Sequence, residues 1–108
     1  MNLTITIHGT GTEFVFDVPK ITELTIGRLD PDTGVSVDID LHEYDAEERV
    51  SRQHAAIRRR GDTLYLVDLG SANGTFVSEL QLFPQKPRVL RDGDTIRVGR
   101  LLLQVTLK

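Results

Sequence analysis

Two observations predict an all-β fold, a sandwich or barrel of short strands. Apolar and polar residues alternate with a period of two along nearly the whole chain. The alternating runs are short, and Gly, Pro and Asn-Gly turn signals separate them. No window carries a convincing helical stripe.

The elements follow in order. Leu3, Ile5 and Ile7 alternate with Asn2, Thr4 and Thr6, and Gly9-Thr10-Gly11 breaks the run. Phe14, Phe16 and Val18 form a second strand that Pro19 ends. Ile21 to Ile26 leads into Gly27, and Val37, Ile39 and Leu41 make a further alternating piece. Residues 43–50 are the one place where a helical turn is expected. Ala55 to Arg59 forms another strand, closed by Gly61-Asp62, and Leu64 to Leu69 runs on to Gly70. Thr75-Phe76-Val77 follows Asn73-Gly74. Val89-Leu90 and Thr95 to Val98 bracket Asp92-Gly93-Asp94, and Leu101 to Leu107 completes the set.

The 108 residues suit one domain, 1–108, with strand signals from Leu3 to Leu107. With 39% hydrophobic and 27% charged residues the chain reads as an ordinary soluble protein. It has no cysteine, which excludes disulfides and thiolate metal sites and points to a reducing, cytoplasmic setting. The N-terminus shows no basic head or apolar signal core. Leu101-Leu102-Leu103 is too short to span a bilayer, so no membrane insertion is expected. Half of the 16 acidic residues fall between Asp30 and Glu48, a stretch without Lys or Arg. The remainder of the chain therefore carries all 13 basic residues and is net positive. This reads either as a solvated charged loop or as a rim beside an anion site.

Four clusters stand where strands end: Gly27-Arg28, Ser51-Arg52-Gln53-His54, Ser71-Ala72-Asn73-Gly74-Thr75, and Gly93-Asp94. Each is weak alone. In this order they resemble the signature of the forkhead-associated (FHA) family, over a core of residues 24–107. The resemblance implies a two-sheet sandwich of about eleven strands, with loops at one end that hold a phosphothreonine peptide. The implied partner is a phosphorylated protein, either a Ser/Thr kinase or its substrate, with no cofactor and no nucleic acid.

The residue chemistry is compatible with that use. A phosphorylated side chain brings about −1.5 to −2 charges and three acceptor oxygens. Arg28 offers a planar fork of donors that stays protonated. Ser51 offers a hydroxyl, and Arg52 a second positive charge at the rim. Asn73 has donors and an acceptor for the peptide backbone. Many family members have Ser or Thr just before this asparagine, whereas here the position is Ala72. Ser71 or a backbone N–H is expected to compensate. Gly27, His54, Gly74, Thr75, Gly93 and Asp94 are expected to be structural, with Gly74 permitting a positive-φ turn.

Rival readings have less support. Ser51 and His54 hint at a hydrolase, but no nucleophile-elbow motif accompanies them, so no enzyme and no catalytic residues are expected. His8 and His42 belong to no cluster. Asp30 to Gly34 faintly resembles a calcium loop, but Thr33 stands where an acid or amide is needed, and Asp40 where the template has Glu. Arg58-Arg59-Arg60 lacks the interleaved aromatics of a nucleic-acid surface. A phosphorylation-independent interaction module on the same fold remains the alternative function.

Overall fold

The computed structural model describes residues 1–108. It is all-β, with eleven strands in two sheets. The strands are β1 (Asn2–Ile7), β2 (Glu13–Asp17), β3 (Glu23–Gly27), β4 (Ile39–Asp40), β5 (Gln53–Arg60) and β6 (Thr63–Asp68). They continue as β7 (Thr75–Val77), β8 (Leu80–Gln81), β9 (Arg88–Leu90), β10 (Thr95–Val98) and β11 (Leu101–Leu107). One sheet has the order β2-β1-β11-β10-β7-β8, and the other β4-β3-β5-β6-β9. All named pairings are antiparallel except β3 with β4.

Period-two alternation places the core. Leu3, Ile5 and Ile7 of β1 are buried, with Ile96 and Val98 of β10 and Leu103 and Val105 of β11. Leu24, Ile26, Ile57, Leu64 and Leu66 face them from the second sheet within one contiguous cluster. Each such side chain contributes about 1.5–3 kcal/mol on burial. No helix is long and apolar enough to cross a membrane.

Three local departures from the sequence reading have physical causes. The alternating piece at 37–41 forms only a two-residue strand, because Asp38 turns its carboxylate onto Thr25 N and Oγ1 (2.9 and 3.2 Å). The helical turn expected over 43–50 is a 3₁₀ turn confined to His42–Tyr44. Asp45 ends it by accepting bonds from Arg49 N and Val50 N, each at 2.9 Å, in place of backbone carbonyls. Strand β8 left no signal, since both of its residues are exposed.

The register of β3 on β5 slips between Ile26 and Gly27: Ile26 faces Ala55, but Gly27 faces Gln53. His54 is the extra residue of this bulge. The strand bends here over Gly27, where an added Cβ would lie 2.0 Å from the Arg52 carbonyl oxygen. Gly27 is thus required for a close backbone approach. The approach lets Arg28 N donate to Arg52 O at 3.0 Å, joining two of the loops at one end of the sandwich.

Candidate functional site

Three loops meet at that end: β3 to β4, β4 to β5, and β6 to β7. Their common element is the segment Arg49-Val50-Ser51. Asp45 pins its first two N–H groups, and the Val50 side chain is buried. Arg28 Nε donates to Val50 O at 3.2 Å, and Asn73 Nδ2 donates to Arg49 O at 2.8 Å. Ser51 Oγ accepts from Ala72 N at 3.1 Å. Arg28, Ser51 and Asn73 therefore converge on three consecutive residues, within about 7 Å of chain.

The bonds leave specific capacity unused. The terminal nitrogens of Arg28 have no protein partner. Ser51 Oγ is bonded only as an acceptor, so its proton is free to donate. Asn73 keeps its second N–H and its carbonyl oxygen. Arg28 and Arg52 also line a cleft of about 270 Å³ with Asp30, Thr33, Val35 and Gln53. Ser51 and Asn73 lie outside that cleft and meet Arg28 through the Arg49–Ser51 segment. Arg52 Nε sits 3.0 Å from Asp30 Oδ2. Its N–H does not point at the oxygen, so this is an ion pair without a directed hydrogen bond.

A buried framework holds the loops. His54 Nδ1 accepts from Ser51 N at 3.0 Å, so the ring proton sits on Nε2, which donates to Gly74 O at 2.8 Å. Burial pushes the imidazole below its ordinary pKa, outweighing the Gly74 carbonyl and the more distant charges of Asp68 and Asp45. With both nitrogens committed to backbone, the ring is not placed as a base for the Ser51 hydroxyl. Asp68 is buried beneath the β6–β7 loop. Burial alone would raise its carboxyl pKa. Donors from Ser71 Oγ, Thr75 Oγ1, Gly70 N and Ser71 N together hold it below the ordinary value. Gly74 adopts φ 85°, which an L side chain rarely tolerates.

Ser71 requires a correction. It was expected to donate to the phosphate in place of the missing hydroxyl at Ala72, but its proton goes to Asp68 Oδ1 at 2.5 Å. Of the backbone N–H groups in the loop, Ala72 N is spent on Ser51 Oγ, whereas Asn73 N donates to no protein group and still answers to the expectation. Ser71 belongs to the framework with Thr75. Gly93 and Asp94 shape the β9–β10 turn: Gly93 N donates to Val105 O at 2.9 Å, and Asp94 Oδ2 accepts from Arg91 N at 2.8 Å. None of their bonds reaches Arg49–Ser51.

Much of the acidic stretch is spent on shaping backbone. Asp38 holds Thr25 as described, and Asp40 Oδ1 accepts from Leu29 N and His42 N at 3.0 Å each. Asp30 Oδ1 accepts from Asp32 N at 3.0 Å. Glu47 bonds Arg49 Nε at 2.8 Å and Arg100 Nη1 at 3.2 Å. Its pKa is lowered chiefly by the Arg49 bond. Sequence reasoning missed Asp45 and Asp68, the two pins beneath the site. Asp45 carried one faint signal, an acid close before the Ser-Arg-Gln-His cluster. Asp68 carried none, because its bonds depend on how β6 and β7 meet.

Comparison with known proteins agrees with this fold. A model of the FHA domain matches residues 24–99. Protein FraH of a Nostoc species is 39% identical over 82 residues, covering 76% of this chain and 28% of that protein. The oxoglutarate dehydrogenase inhibitor of Corynebacterium jeikeium is 36% identical over 93 residues, covering 86% of this chain and 54% of that protein. The chain thus spans about half, or less, of the length of these relatives. A structure solved in a structural and functional analysis of phosphothreonine-dependent FHA domain interactions superposes with a TM-score of 0.78 at 28% identity. It covers 100% of this chain and 98% of that one.

Proposed function

This chain belongs to the FHA domain family, and we propose that it binds peptides carrying phosphothreonine, joining proteins once a Ser/Thr kinase has acted. The observation that carries this reading is the convergence of Arg28, Ser51 and Asn73 on the Arg49–Ser51 segment, with donors left unused. A dianionic ester wants charge-assisted donors in a fixed arrangement, and a guanidinium, a hydroxyl and an amide meet that need. Arg28 is assigned to the phosphate, with Ser51 beside it and Arg52 adding charge at the rim. Asn73 is assigned to the peptide backbone. Framework roles go to Gly27, His54, Ser71, Gly74 and Thr75, and the module spans 1–108. It binds and does not catalyse. A kinase-dependent ligand places it in the cytoplasm. The partner assigned to it is a phosphothreonine-containing protein, a Ser/Thr kinase or its substrate.

A preference for phosphothreonine over phosphoserine needs a slot for one methyl group. Its burial is worth about 0.8 kcal/mol, roughly a fourfold preference. The test is calorimetric titration of an oriented phosphothreonine peptide library. Phosphorylated peptides are expected to bind and their unphosphorylated twins not to. Arg28→Ala is expected to cost about 1.5–3 kcal/mol. Equal affinity of wild type and variant removes Arg28 from the site.

One observation favours a second reading, a phosphorylation-independent interaction module. Ala72 has no hydroxyl, and the Ser71 hydroxyl and Ala72 N nearest to it are both spent internally. A partner that free phosphopeptide fails to displace would establish that mode.

A further inference from the structure

We infer that Asp30 Oδ2 forms a subsite for a cationic side chain of the ligand, immediately beside the phosphate position; this rests on the phosphothreonine reading above. Asp30 Oδ2 is the one buried side-chain oxygen or nitrogen in the protein without a hydrogen bond. The Asp30 side chain is only 10% exposed, and the residue lines the cleft that also holds Arg28 and Arg52. Arg52 pairs with it by charge at 3.0 Å but aims no N–H at it, so Oδ2 keeps its accepting capacity for a donor.

The carboxylate is firmly placed. Its Oδ1 accepts from Asp32 N, and the Asp30 carbonyl accepts from Gly34 N at 3.1 Å. A bridge to Val35 closes the same turn. Its present neighbour sits at the surface: Arg52 is 65% exposed and approaches without aiming an N–H at the oxygen. A phosphate held by Arg28 at the cleft's edge draws the Arg52 guanidinium toward itself and leaves Asp30 without its ion partner, an expensive state for a buried charge.

Charge accounting in the cleft points the same way. Arg28 and Arg52 bring two positive charges and Asp30 one negative. A bound phosphoryl group of about −1.5 to −2 leaves the cleft at roughly −0.5 to −1. One ammonium or guanidinium from the ligand restores neutrality and supplies donors for Oδ2. A second acidic side chain at that place is repelled. Asp30 thus selects among phosphopeptides, favouring a basic residue and rejecting an acidic one.

The experiment scans Lys, Ala and Glu through each position flanking phosphothreonine in one peptide, against wild type and Asp30→Asn. The asparagine keeps an oxygen for Asp32 N, and binding of the all-Ala phosphopeptide checks that the variant is folded. Wild type is expected to favour Lys over Glu roughly tenfold at one position, the scale of a single charge-assisted contact. Asp30→Asn should abolish that preference while retaining the all-Ala peptide. Acetylating the favoured lysine should remove the gain on wild type itself, a readout independent of any variant. A preference that survives in Asp30→Asn, or no preference at any position, overturns the subsite. Failure of every phosphopeptide to bind instead overturns the phosphothreonine reading, and the subsite with it.

Discussion

The His54 imidazole accepts at Nδ1 and donates at Nε2, both to backbone groups, so a second proton has no place in the folded state. Its folded pKa lies below the unfolded value of about 6.5. The unfolded chain therefore binds more protons between those two values. The stabilisation is complete above about pH 6.5 and is lost as pH falls through that window toward the folded pKa. Urea unfolding at pH 7.5 and pH 5.5 is expected to show a lower midpoint at the acidic pH, and His54→Gln should flatten the difference. A slope that persists in His54→Gln assigns the titration elsewhere. Asp68 acts in a lower range. Its folded pKa is also depressed, so its contribution is present above the ordinary carboxylate value and lost as pH falls beneath it. The family resemblance implied a structural His54, and the tautomer that makes it so was visible only in three dimensions. Ser71 was misassigned for the same reason. A serine beside a ligand asparagine has the right chemistry, but the direction of its proton depends on Asp68.

Among the elements, the β4–β5 connection carries the most consequence. It reads as acidic and loosely helical, yet one of its carboxylates pins the backbone that leads into the site. Asp45 satisfies two consecutive N–H groups, and this fixes the Arg49 and Val50 carbonyls that Asn73 and Arg28 grip. Asp45→Asn keeps one acceptor and turns an NH₂ group toward the other N–H. The expected outcome is a loss of about 1–3 kcal/mol of stability, the cost of a buried donor left unpaired. Phosphopeptide affinity should fall with it, although Asp45 touches no proposed ligand group. Thermal unfolding and calorimetric titration of the same sample check both. Unchanged affinity with reduced stability would show that the loop is held by other contacts. The main strands were legible because their inward sides must be apolar. Strand β8 and the brevity of β4 were not, since exposed or two-residue strands carry no alternation to read.

The protein as a whole divides its labour between two ends. The bulge at Gly27 and His54, the Arg49–Ser51 segment and the Asp68 framework crowd one end. The Gly93-Asp94 turn shares none of their bonds. Amide chemical-shift mapping with a phosphothreonine peptide is therefore expected to perturb residues 28–35, 49–54 and 70–75 and to leave the β9–β10 turn unmoved. Equal shifts at Gly93 and Asp94 would mean that the ligand sits elsewhere or that the sandwich responds as a unit. Period-two alternation and turn residues were enough to specify two sheets, because burying one face of a strand is a local, periodic requirement. The ordered clusters from Gly27 to Asp94 were enough to indicate the family and to nominate Arg28, Ser51 and Asn73. Folding alone decided which donors remain free, which acid is left unmatched and which residues merely hold the loops. A hydrogen bond is spent or available according to what lies across from it, and the decisive partners here stand 21 to 24 positions apart along the chain.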